Sequence, residues 1–474
     1  MSGPGADVVD VDVAIIGAGV VGCALARELA GFDCSVTVLE QAPDICEGTS
    51  KANTAILHTG FDCVPGTLES RLVHEGYGLL AQYARDANIA LETTGAVLVA
   101  WDDEQAAALE GLAQKARDNG YDATRVIGAS EVYRLEPHLG EGVTGGLAVP
   151  GESIIDPWSV VAAYATQSVR AGAQLRLGTR VTSLSRAEGV HVVATSSGTV
   201  RATWLLNAAG LSSSSIDGLC DHHDFTIRPR RGELIVFDKL GRGLVNSIIL
   251  PVPTSRTKGV LISPTVFGNV LLGPTADDVT DPEATATTRE GLGRLRDAGR
   301  RMMPALVDEE VTAAYAGLRA ASDHQDYQVR RHEGENYVCV GGIRSTGLTS
   351  SMALARHVVA LMVEGGFSAP SRERPPVPVM SPLGETQLRP SLDDARIAAN
   401  PAYGRVVCHC ERVSEGEILD AMSGDVAATT LSGLRRRTRA MNGRCQGFYC
   451  GARVVAMMAD ATGCDVGALT GLDQ

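Results

Sequence analysis

The chain has 474 residues, a length that argues for about three folding units and leaves ample material for buried cores. Apolar residues make up 44% and charged residues 21%, which is typical of a folded globular protein and excludes a disordered or fibrous one. The formal charge of −14 disfavours binding to nucleic acid or to anionic lipid, so no nucleic-acid partner is expected.

The sequence shows neither the pattern of a membrane span nor that of a secreted protein. No apolar run reaches the ~18 residues that a transmembrane segment needs, and the best candidate, near Met352, is interrupted by Arg356 and His357. The apolar stretch near the start follows several aspartates and precedes the first basic residue, Arg27, unlike a signal peptide. Eleven cysteines spread over a long chain do not form a disulfide framework. We therefore expect a cytoplasmic protein with no transmembrane segment.

The first 40 residues predict a strand, a helix and a second strand. Asp12–Ile16 is an apolar run, Cys23–Leu29 has helical spacing, and Ser35–Leu39 is rich in β-branched residues. A unit of this kind requires a parallel sheet with a right-handed crossover.

A glycine-rich motif, Gly17-Ala18-Gly19-Val-Val-Gly22, joins the first strand to the helix. The first glycine permits a tight turn, the second lets the backbone approach a pyrophosphate, and the third allows close helix packing. The helix N-terminus adds N–H donors and a positive dipole. Glu40, 18 residues after Gly22, ends the next strand, where its carboxylate can accept from ribose hydroxyls. The motif predicts a dinucleotide site without distinguishing FAD from NAD.

The later elements predict a scaffold of helices and antiparallel strands. A helix is expected over residues 67–87, and Asp156-Pro157 followed by Gly172 marks the start and end of another. The remaining segments are a β meander over 174–207, a turn-broken β region over 226–272 that would cover a ligand, and a proline-rich linker over 366–382.

Two further glycine-rich turns favour FAD over NAD. Asn207-Ala-Ala209-Gly210 ends an apolar strand and would bring backbone beside the same cofactor. Residues 341–349 precede a helical run and aim a second helix N-terminus at an electron-rich group, for which the flavin N1–C2=O edge is the natural target. The alternative is that both turns only cap ordinary strands.

Five motifs in order resemble those of the D-amino-acid-oxidase-type flavoproteins. They comprise the first glycine motif with Glu40, residues 48–60 (GTSKANTAILHTG), 207–210, 317–319 and 342–349. The similarity is closest to the glycerol-3-phosphate dehydrogenase and L-2-hydroxyglutarate oxidase branch and covers about residues 10–365. It implies a Rossmann-like FAD domain and FAD contacts at Gly17, Ala18, Gly19, Gly22, Glu40, Thr49, Ser50, Asn53, Val181, Ala209, Gly210, Gly342, Ser345, Gly347, Leu348 and Thr349.

Three side chains are candidates for the chemistry. His58 is the candidate base, because neutral imidazole can accept a hydroxyl proton near neutral pH and the matching histidine in this branch lies beside the flavin. Arg319 matches the arginine that grips a substrate carboxylate or phosphate in the resembled family. Arg344 either does the same or holds the flavin loop. Surface or core-edge ion pairs are the alternative for both arginines.

Four cysteines near the C-terminus form two close pairs, Cys408 with Cys410 and Cys445 with Cys450. Their spacing suits either a structural zinc or an iron–sulfur cluster, and the single residue between the first two counts weakly against zinc. The pattern and its flanks are similar to the 2Fe-2S domain related to bacterioferritin-associated ferredoxin, which implies a 2Fe-2S cluster. The arginines near these cysteines, Arg435, Arg436, Arg437, Arg439 and Arg444, form either a solvated basic face or a group that tunes the cluster or guides an acidic redox partner.

The resemblances together predict an α/β architecture with three parts. The first, residues 8–365, combines FAD-binding segments (about 8–95, 150–220 and 320–365) with an inserted mixed or antiparallel β substrate domain (about 96–149 and 221–319). A proline-rich linker over 366–402 and a small helical 2Fe-2S domain over 403–474 follow.

The function expected is an FAD-dependent dehydrogenase of a small anionic 2-hydroxy compound. Glycerol 3-phosphate is the first choice of substrate and a 2-hydroxyacid the second. Electrons would leave singly through the cluster to a redox partner protein or a quinone-linked acceptor. The alternatives are an amine or imino-acid dehydrogenase of the same fold and an electron-transfer subunit with no substrate of its own.

Overall fold

The computed structural model describes residues 8–253 and 259–470. Residues 471–474 of the predicted 2Fe-2S domain lie outside the described residues.

The strands fall into two large sheets and two small ones. In chain order they are β1 (Val8–Ile16), β2 (Val36–Leu39), β3 (Ile56–Leu57), β4 (Leu91–Glu92), β5 (Ala96–Ala100), β6 (Arg125–Gly128), β7 (Gly145–Val149), β8 (Ser153–Ile155), β9 (Gln174–Arg176), β10 (Val181–Ala187), β11 (Val190–Thr195), β12 (Gly198–Asn207), β13 (Ile227–Phe237), β14 (Ile248–Pro251), β15 (Leu261–Pro264), β16 (Val270–Gly273), β17 (Asp277–Asp278), β18 (Val311–Ser322), β19 (Gln328–His332), β20 (Tyr337–Gly341), β21 (Val406–Cys408) and β22 (Val413–Ser414).

The longer helices belong to the first 365 residues, and short helices dominate the C-terminal part. In chain order they are α1 (Val20–Leu29), α2 (Leu68–Asp86), α3 (Asp103–Asp118), α4 (Ala129–Leu135), α5 (Pro157–Arg170), α6 (Ser213–Gly218), α7 (Arg289–Met302), α8 (Pro304–Val307), α9 (Gly347–Glu364), α10 (Asp394–Ala399), α11 (Glu415–Ser423), α12 (Leu431–Thr438), α13 (Gly451–Thr462) and α14 (Val466–Thr470).

The first sheet contains the predicted strand–helix–strand unit. β1 pairs in parallel with β2 and β12, β2 pairs with β9, and β12 pairs with β20. The carboxyl ends of these strands therefore share one edge, where the loops after β1, β2, β12 and β20 meet. β10, β11 and β19 extend the sheet in antiparallel pairs.

Helix α1 packs tightly behind this edge because of one glycine. A Cβ atom at Gly22 would lie 1.8 Å from the carbonyl oxygen of Gly17, so any other residue would force the helix away from the turn. The buried face of α1 joins α2, α5 and α9 in the largest apolar core. Helix α5 begins as predicted, with Asp156 accepting from the backbone N–H groups of Trp158 and Ser159 and with Pro157 at its first position.

The second sheet stands beside the first and is largely antiparallel. β13 pairs along its length with β18 and also with β16 and β17, while β14 and β5 form its parallel pair. Its apolar face packs against α7 and α8 in a core of its own. Together the two sheets confirm the predicted α/β class with an added mixed β region.

The proline-rich segment is held against the first domain. Residues 367–389 contain no helix, and their only strand-like pairing is an isolated bridge to Phe32. The Pro370 carbonyl accepts from the Asp33 N–H at 2.8 Å, and the Pro375 carbonyl accepts from Gln167 Nε2 at 2.7 Å. The Met380 N–H donates to the Ala87 carbonyl at 2.8 Å. This segment is therefore an ordered strap over α1, α2 and α5.

The C-terminal helices form a small core around two of the four paired cysteines. Val407, Val413, Ile418 and Leu434 pack there with Cys408 and Cys450. Helix α11 begins in a capping box between Ser414 and Glu417. Within residues 8–253 and 259–470, no helix combines the length and the apolar character that a membrane crossing requires.

Candidate active site and cysteine cluster

A cavity of about 1080 Å³ opens where the parallel strands of the first sheet end. The loops after β1, β2, β12 and β20 form one side, and residues of β13 and β18 form the other. The predicted site residues on its wall are Gly17, Gly19, Glu40, Thr49, Ser50, Asn53, His58, Val181, Ala209, Gly210, Arg319, Gly342, Arg344, Ser345, Gly347 and Leu348. The structure thus brings together residues that are more than 300 positions apart in the chain.

Three predicted cofactor residues lie behind the cavity wall. Ala18 is fully buried and donates its N–H to Glu40 Oε2 at 2.7 Å, so it positions the carboxylate. Gly22 provides the close packing described above. Thr349 accepts the His58 N–H on its Oγ1 atom at 3.0 Å and so fixes the backbone of the candidate base.

The glycine motif leaves helix α1 open toward the cavity. Gly17 has a φ angle of +103°, and a Cβ atom there would lie 2.5 Å from the Ala208 carbonyl oxygen, so this turn requires glycine. Gly19 caps α1 without a side-chain hydrogen bond, and the first turn holds no acidic residue. Ser50 accepts from the Val20 N–H at 3.0 Å, which brings the segment after β2 against this turn. The N-terminus of α1 can therefore receive a phosphate.

Glu40 lies on the cavity wall at the end of β2. Its Oε1 atom accepts from the Ala42 N–H at 2.8 Å, and its Oε2 atom from the N–H of Ala18. Burial raises the pKa of Glu40 above its usual value, although both backbone donors oppose this effect. Each oxygen has a second lone pair for a ribose hydroxyl.

A second open helix N-terminus follows β20. Gly342 has a φ angle of +66°, and α9 begins at Gly347 with no acidic residue in its first turn and no side-chain cap at Thr346. The Thr346 hydroxyl is hydrogen-bonded instead to Glu69 and Tyr327, at 2.6 and 2.7 Å. Because these bonds engage the Thr346 hydroxyl, the positive end of the α9 dipole stays available to a ligand in the cavity.

His58 is hydrogen-bonded to a buried carboxylate that sequence analysis did not identify. His58 Nδ1 lies 3.1 Å from Glu152 Oε2, and Glu152 is 0% exposed. The other carboxylate oxygen accepts from the N–H and the hydroxyl of Thr59, at 2.7 and 2.8 Å. With a proton on Nδ1 for this bond, the neutral ring presents its acceptor lone pair at Nε2.

The pairing of β3 with β8 explains why Glu152 escaped detection. Leu57 lies opposite Ser153, so the backbone register places His58 beside Glu152, 94 residues away. A single glutamate between a turn and a short strand forms no local motif, and only the sheet register could have revealed it. Lys115 of α3 also lines the cavity without a sequence signal, and its ammonium donates to the Asp62 carbonyl at 2.8 Å.

Two arginines face one another across β13 and β18 on the cavity wall. Arg230 is the register partner of Arg319, and it forms a two-bond ion pair with Asp278 at 2.6 and 3.2 Å. Arg319 is partly buried and has no ion pair within the described part of the chain. Burial, followed by the charge of Arg230, lowers the pKa of Arg319 from its usual value. The Arg319 guanidinium is therefore available for an anion in the cavity.

Arg344 is engaged by the protein. Its Nη2 atom lies 3.4 Å from Glu69 Oε2 and donates to the Gln325 carbonyl. These contacts anchor the loop between β20 and α9, which favours the loop-holding alternative for Arg344.

The four predicted metal-binding cysteines lie together in two contacting pairs. The thiol of Cys410 contacts that of Cys445, and the thiol of Cys408 contacts that of Cys450. All four are described, and no three of their Sγ atoms lie within 4.8 Å of one another. A tetrahedral zinc ion would bring four sulfurs to about 3.8 Å from each other, whereas a binuclear cluster takes two sulfurs per iron. The arrangement fits a 2Fe-2S cluster.

The backbone around the second cysteine pair favours thiolate ligands. The backbone N–H of Tyr449 is the largest cause that lowers the Cys445 pKa, and the N–H groups of Gly447 and Phe448 act in the same direction, although Phe448 donates to the Cys445 carbonyl at 2.9 Å. A thiolate is the form that binds iron. Phe448 and Tyr449 themselves project from this loop and are 95% and 73% exposed.

The arginines near the cysteines do not form a simple solvated face, because Arg436 and Arg439 are buried, Arg435 and Arg437 are half-buried, and only Arg444 is exposed. Arg437 forms a two-bond ion pair with Asp44 at 2.7 and 2.8 Å, and Arg436 contacts Glu47 at 2.7 Å. Asp44 is 0% exposed, and Glu47 lines the cavity. Arg444 contacts Asp238, the residue that follows β13, at 3.2 Å. The contacts of Arg436 and Arg437 with Asp44 and Glu47 dock the C-terminal helices on the cofactor loop after β2. We call these four residues the arginine clamp.

FAD fits the cavity residues. The turn at Gly17 excludes a side chain, two helix N-termini are open, and a carboxylate lies at the end of the second parallel strand. The cavity volume also suits a large cofactor with its substrate. The chain would hold the pyrophosphate at α1, the adenosine ribose at Glu40 and the flavin edge at α9.

Comparisons with known proteins identify the families of the two parts of the chain. Residues 12–361 match the family model described as FAD dependent oxidoreductase, and residues 406–460 match the BFD-like 2Fe-2S binding domain. A glycerol 3-phosphate dehydrogenase of Caloramator mitchellensis is 31% identical over 461 residues, covering 96% of this chain and 95% of that protein. An L-2-hydroxyglutarate dehydrogenase of Indibacter alkaliphilus is 28% identical and covers 73% of this chain and 97% of that protein.

A solved structure shows the same fold over the first domain. It is the dithionite-reduced L-alpha-glycerophosphate oxidase of Mycoplasma pneumoniae with FAD bound, which is 29% identical and superimposes with a TM-score of 0.74. The superposition covers 78% of this chain and 98% of the oxidase, so the C-terminal helices are additional to the oxidase fold. The chain belongs to the FAD dependent oxidoreductase family; it is a flavoprotein oxidoreductase that binds FAD and carries a C-terminal 2Fe-2S domain.

Proposed function

We propose that this chain is a dehydrogenase that oxidises the secondary hydroxyl group of glycerol 3-phosphate. One observation carries the proposal: the wall of a single cavity holds an imidazole bonded to a buried carboxylate and an arginine without an ion-pair partner among the described residues. The similarity over almost the whole length to a protein named glycerol 3-phosphate dehydrogenase supports the choice of substrate.

In this proposal His58 is the general base. Its Nε2 atom takes the hydroxyl proton, while Nδ1 keeps its bond to Glu152. The imidazolium that forms is stabilised by the buried Glu152 carboxylate, which needs no reorganisation because Thr59 already holds its other oxygen. Glu152 acts through His58 and is a positioning residue.

Arg319 is proposed to bind the substrate phosphate. A planar guanidinium donates two parallel hydrogen bonds to an oxyanion, and its partly buried position strengthens them. The neighbouring Arg230, which is paired with Asp278, places a second guanidinium next to Arg319 on the cavity wall.

Bound FAD would accept the hydride, and the 2Fe-2S cluster would then carry the electrons one at a time. Residues of the second sheet line the cavity opposite the glycine-rich turns, and in this proposal they limit the access of water to the reacting atoms. We propose a redox partner protein or a quinone-linked acceptor as the final electron acceptor; a cytoplasmic location stays a prediction.

A second candidate substrate is a 2-hydroxyacid such as L-2-hydroxyglutarate. Arg319 could grip its carboxylate in the same manner, and a protein named L-2-hydroxyglutarate dehydrogenase is among the relatives. Both substrates present a secondary hydroxyl to His58.

The test is an anaerobic titration of the purified holoenzyme, followed by the visible absorbance of oxidised flavin. Glycerol 3-phosphate should bleach the flavin, and glycerol, which lacks the phosphate, should not. The H58N variant should lose this reaction, whereas H138N, which changes an exposed histidine outside the cavity, should keep it. Bleaching by L-2-hydroxyglutarate and not by glycerol 3-phosphate would show that the second candidate is the substrate. Bleaching by neither compound would refute both.

A further inference from the structure

A stack of three side chains fills the space between the FAD cavity and the cysteine loops. Trp158, Phe267 and Arg439 form this interdomain stack. Its first member lies directly behind the cavity wall: the Trp158 indole N–H donates to the Lys51 carbonyl at 3.1 Å. The chain neighbours of Lys51 line the cavity, as does Pro157, which precedes Trp158.

The next two members carry the contact toward the cysteines. The rings of Trp158 and Phe267 are stacked, with centroids 5.4 Å apart and planes 17° from parallel. The Arg439 guanidinium lies 4.0 Å above the Phe267 ring centroid, on the side of the C-terminal helices. Phe267 is 6% and Arg439 5% exposed, so both are shielded from solvent.

Arg439 ends the stack beside an iron ligand. Its Nε atom donates to Glu411 Oε2 at 2.8 Å, and Glu411 follows Cys410 directly in the chain. Gly443 closes the packing here, because a Cβ atom at that position would lie 2.4 Å from the Cys410 Cβ. A continuous line of contacts therefore runs from the cavity wall to the loop that holds Cys410.

The arginine clamp holds the C-terminal helices in the position that this line of contacts requires. Arg437 and Asp44 form a buried two-bond ion pair, and a Cβ atom at Gly433 would lie 1.7 Å from Asp44 Oδ2. The C-terminal helices can therefore approach Asp44 only because residue 433 is glycine. The geometry is that of a fixed contact and not of a domain that docks and releases.

We propose that the interdomain stack is the electron-transfer contact between the flavin site and the 2Fe-2S cluster. This inference rests on the proposed function. Substrate oxidation delivers two electrons to the flavin as a hydride and one proton to His58. With FAD and the cluster bound, the stack would be used twice per turnover: each electron would pass from the flavin to a ferric iron of the cluster and from the cluster to the external acceptor. Closely packed atoms transmit electronic coupling better than a gap of the same width, and each member of the stack contacts the next.

The test separates arrival of electrons at the flavin from their arrival at the cluster. Stopped-flow absorbance follows flavin bleaching, and freeze-quench EPR follows the reduced cluster in the same anaerobic mixture. The variants are F267L and F267M, which remove the ring and keep an apolar side chain, and W158F, which keeps a stacked ring. The matched control is F367L, because Phe367 is 7% exposed and packs against another tryptophan, Trp204, with centroids 6.1 Å apart, away from the cysteine loops.

In F267L and F267M the cluster should be reduced on the order of tenfold more slowly, a factor that corresponds to ~1.4 kcal/mol in the activation free energy of electron transfer. Flavin bleaching and the iron and sulfide contents should stay at wild-type values, and W158F and F367L should resemble the wild type. Two variants at position 267 keep the test decisive if one fails to accumulate as folded protein.

Wild-type cluster reduction in F267L or F267M would overturn the proposal, as would an equal slowing in F367L. Photoreduction with light and EDTA, which delivers electrons to the flavin without substrate, makes the test independent of the substrate. If glycerol 3-phosphate leaves the flavin oxidised while photoreduction shows the slowing in F267L, the substrate assignment fails and the electron contact stands.

Discussion

Replacing Glu152 by glutamine tests whether the buried carboxylate positions His58 for catalysis. Glu152 is completely buried and accepts from His58 Nδ1 and from both donors of Thr59. In E152Q the amide oxygen can still accept from Thr59, so the amide nitrogen faces His58 Nδ1. An amide N–H donates, and it therefore favours the tautomer whose proton is on Nε2, which is the wrong nitrogen for a base.

The expected fall in rate follows from the hydrogen bond between His58 and residue 152, which E152Q alters. The hydrogen bond to a charged carboxylate is worth about 1.5–3 kcal/mol, and the transition state, in which the ring becomes an imidazolium, loses most of it. This loss corresponds to a rate roughly 10- to 150-fold lower. Substrate binding does not use the bond, so KM should stay near its wild-type value while kcat falls.

The assay is the anaerobic rate of flavin bleaching by saturating glycerol 3-phosphate. The control is E136Q, because Glu136 is also 0% exposed and accepts from Asn246 N–H and from both donors of Ser247, outside the cavity. A wild-type bleaching rate in E152Q would refute the reasoning. An equal fall in E136Q would show that any buried carboxylate has this effect, and would refute it as well.

Three further predictions concern the anion site, the clamp and the cluster. R319K should keep FAD but raise KM for glycerol 3-phosphate about 10- to 100-fold, because lysine loses the two-bond grip on an oxyanion; an unchanged KM would exclude Arg319 as the phosphate ligand. R437A should lower the free energy of unfolding by about 3–5 kcal/mol in urea denaturation, because it leaves Asp44 charged, buried and without its two-bond partner. The control R405A removes an exposed ion pair with Glu415 and should change the free energy of unfolding little. C445S should abolish bound iron and sulfide while the flavin spectrum persists. The control C464S changes an exposed cysteine and should retain iron, sulfide and flavin. Iron retained in C445S would contradict the predicted set of cluster ligands.

Sequence patterns predicted the parts of the site that depend on neighbouring residues. The turn at Gly17 and the carboxylate at Glu40 each follow from short spacings, since backbone geometry alone brings such residues together. The two close cysteine pairs of the sequence do not contact internally in the structure, where Cys410 contacts Cys445 and Cys408 contacts Cys450. The fold class and the two cofactors were predicted with the help of the resemblances to known families and are confirmed by the family matches.

Long-range partners could not be predicted in this way. Glu152 reaches His58 only through the register of β3 and β8, and the run of arginines near the cysteines meets Asp44 across 393 positions. A charge run reads as solvent-exposed unless the opposing carboxylates are known to be buried. Similarly, nothing local to Trp158 or Phe267 indicated that their rings would meet.

The strap over residues 367–389 has a consequence for how the two redox centres communicate. It is bonded to the first domain at Pro370, Pro375 and Met380, so little free chain remains to let the C-terminal helices drift. The two centres therefore behave as one unimolecular pair with a permanently high effective concentration. Cluster reduction should therefore be independent of enzyme dilution.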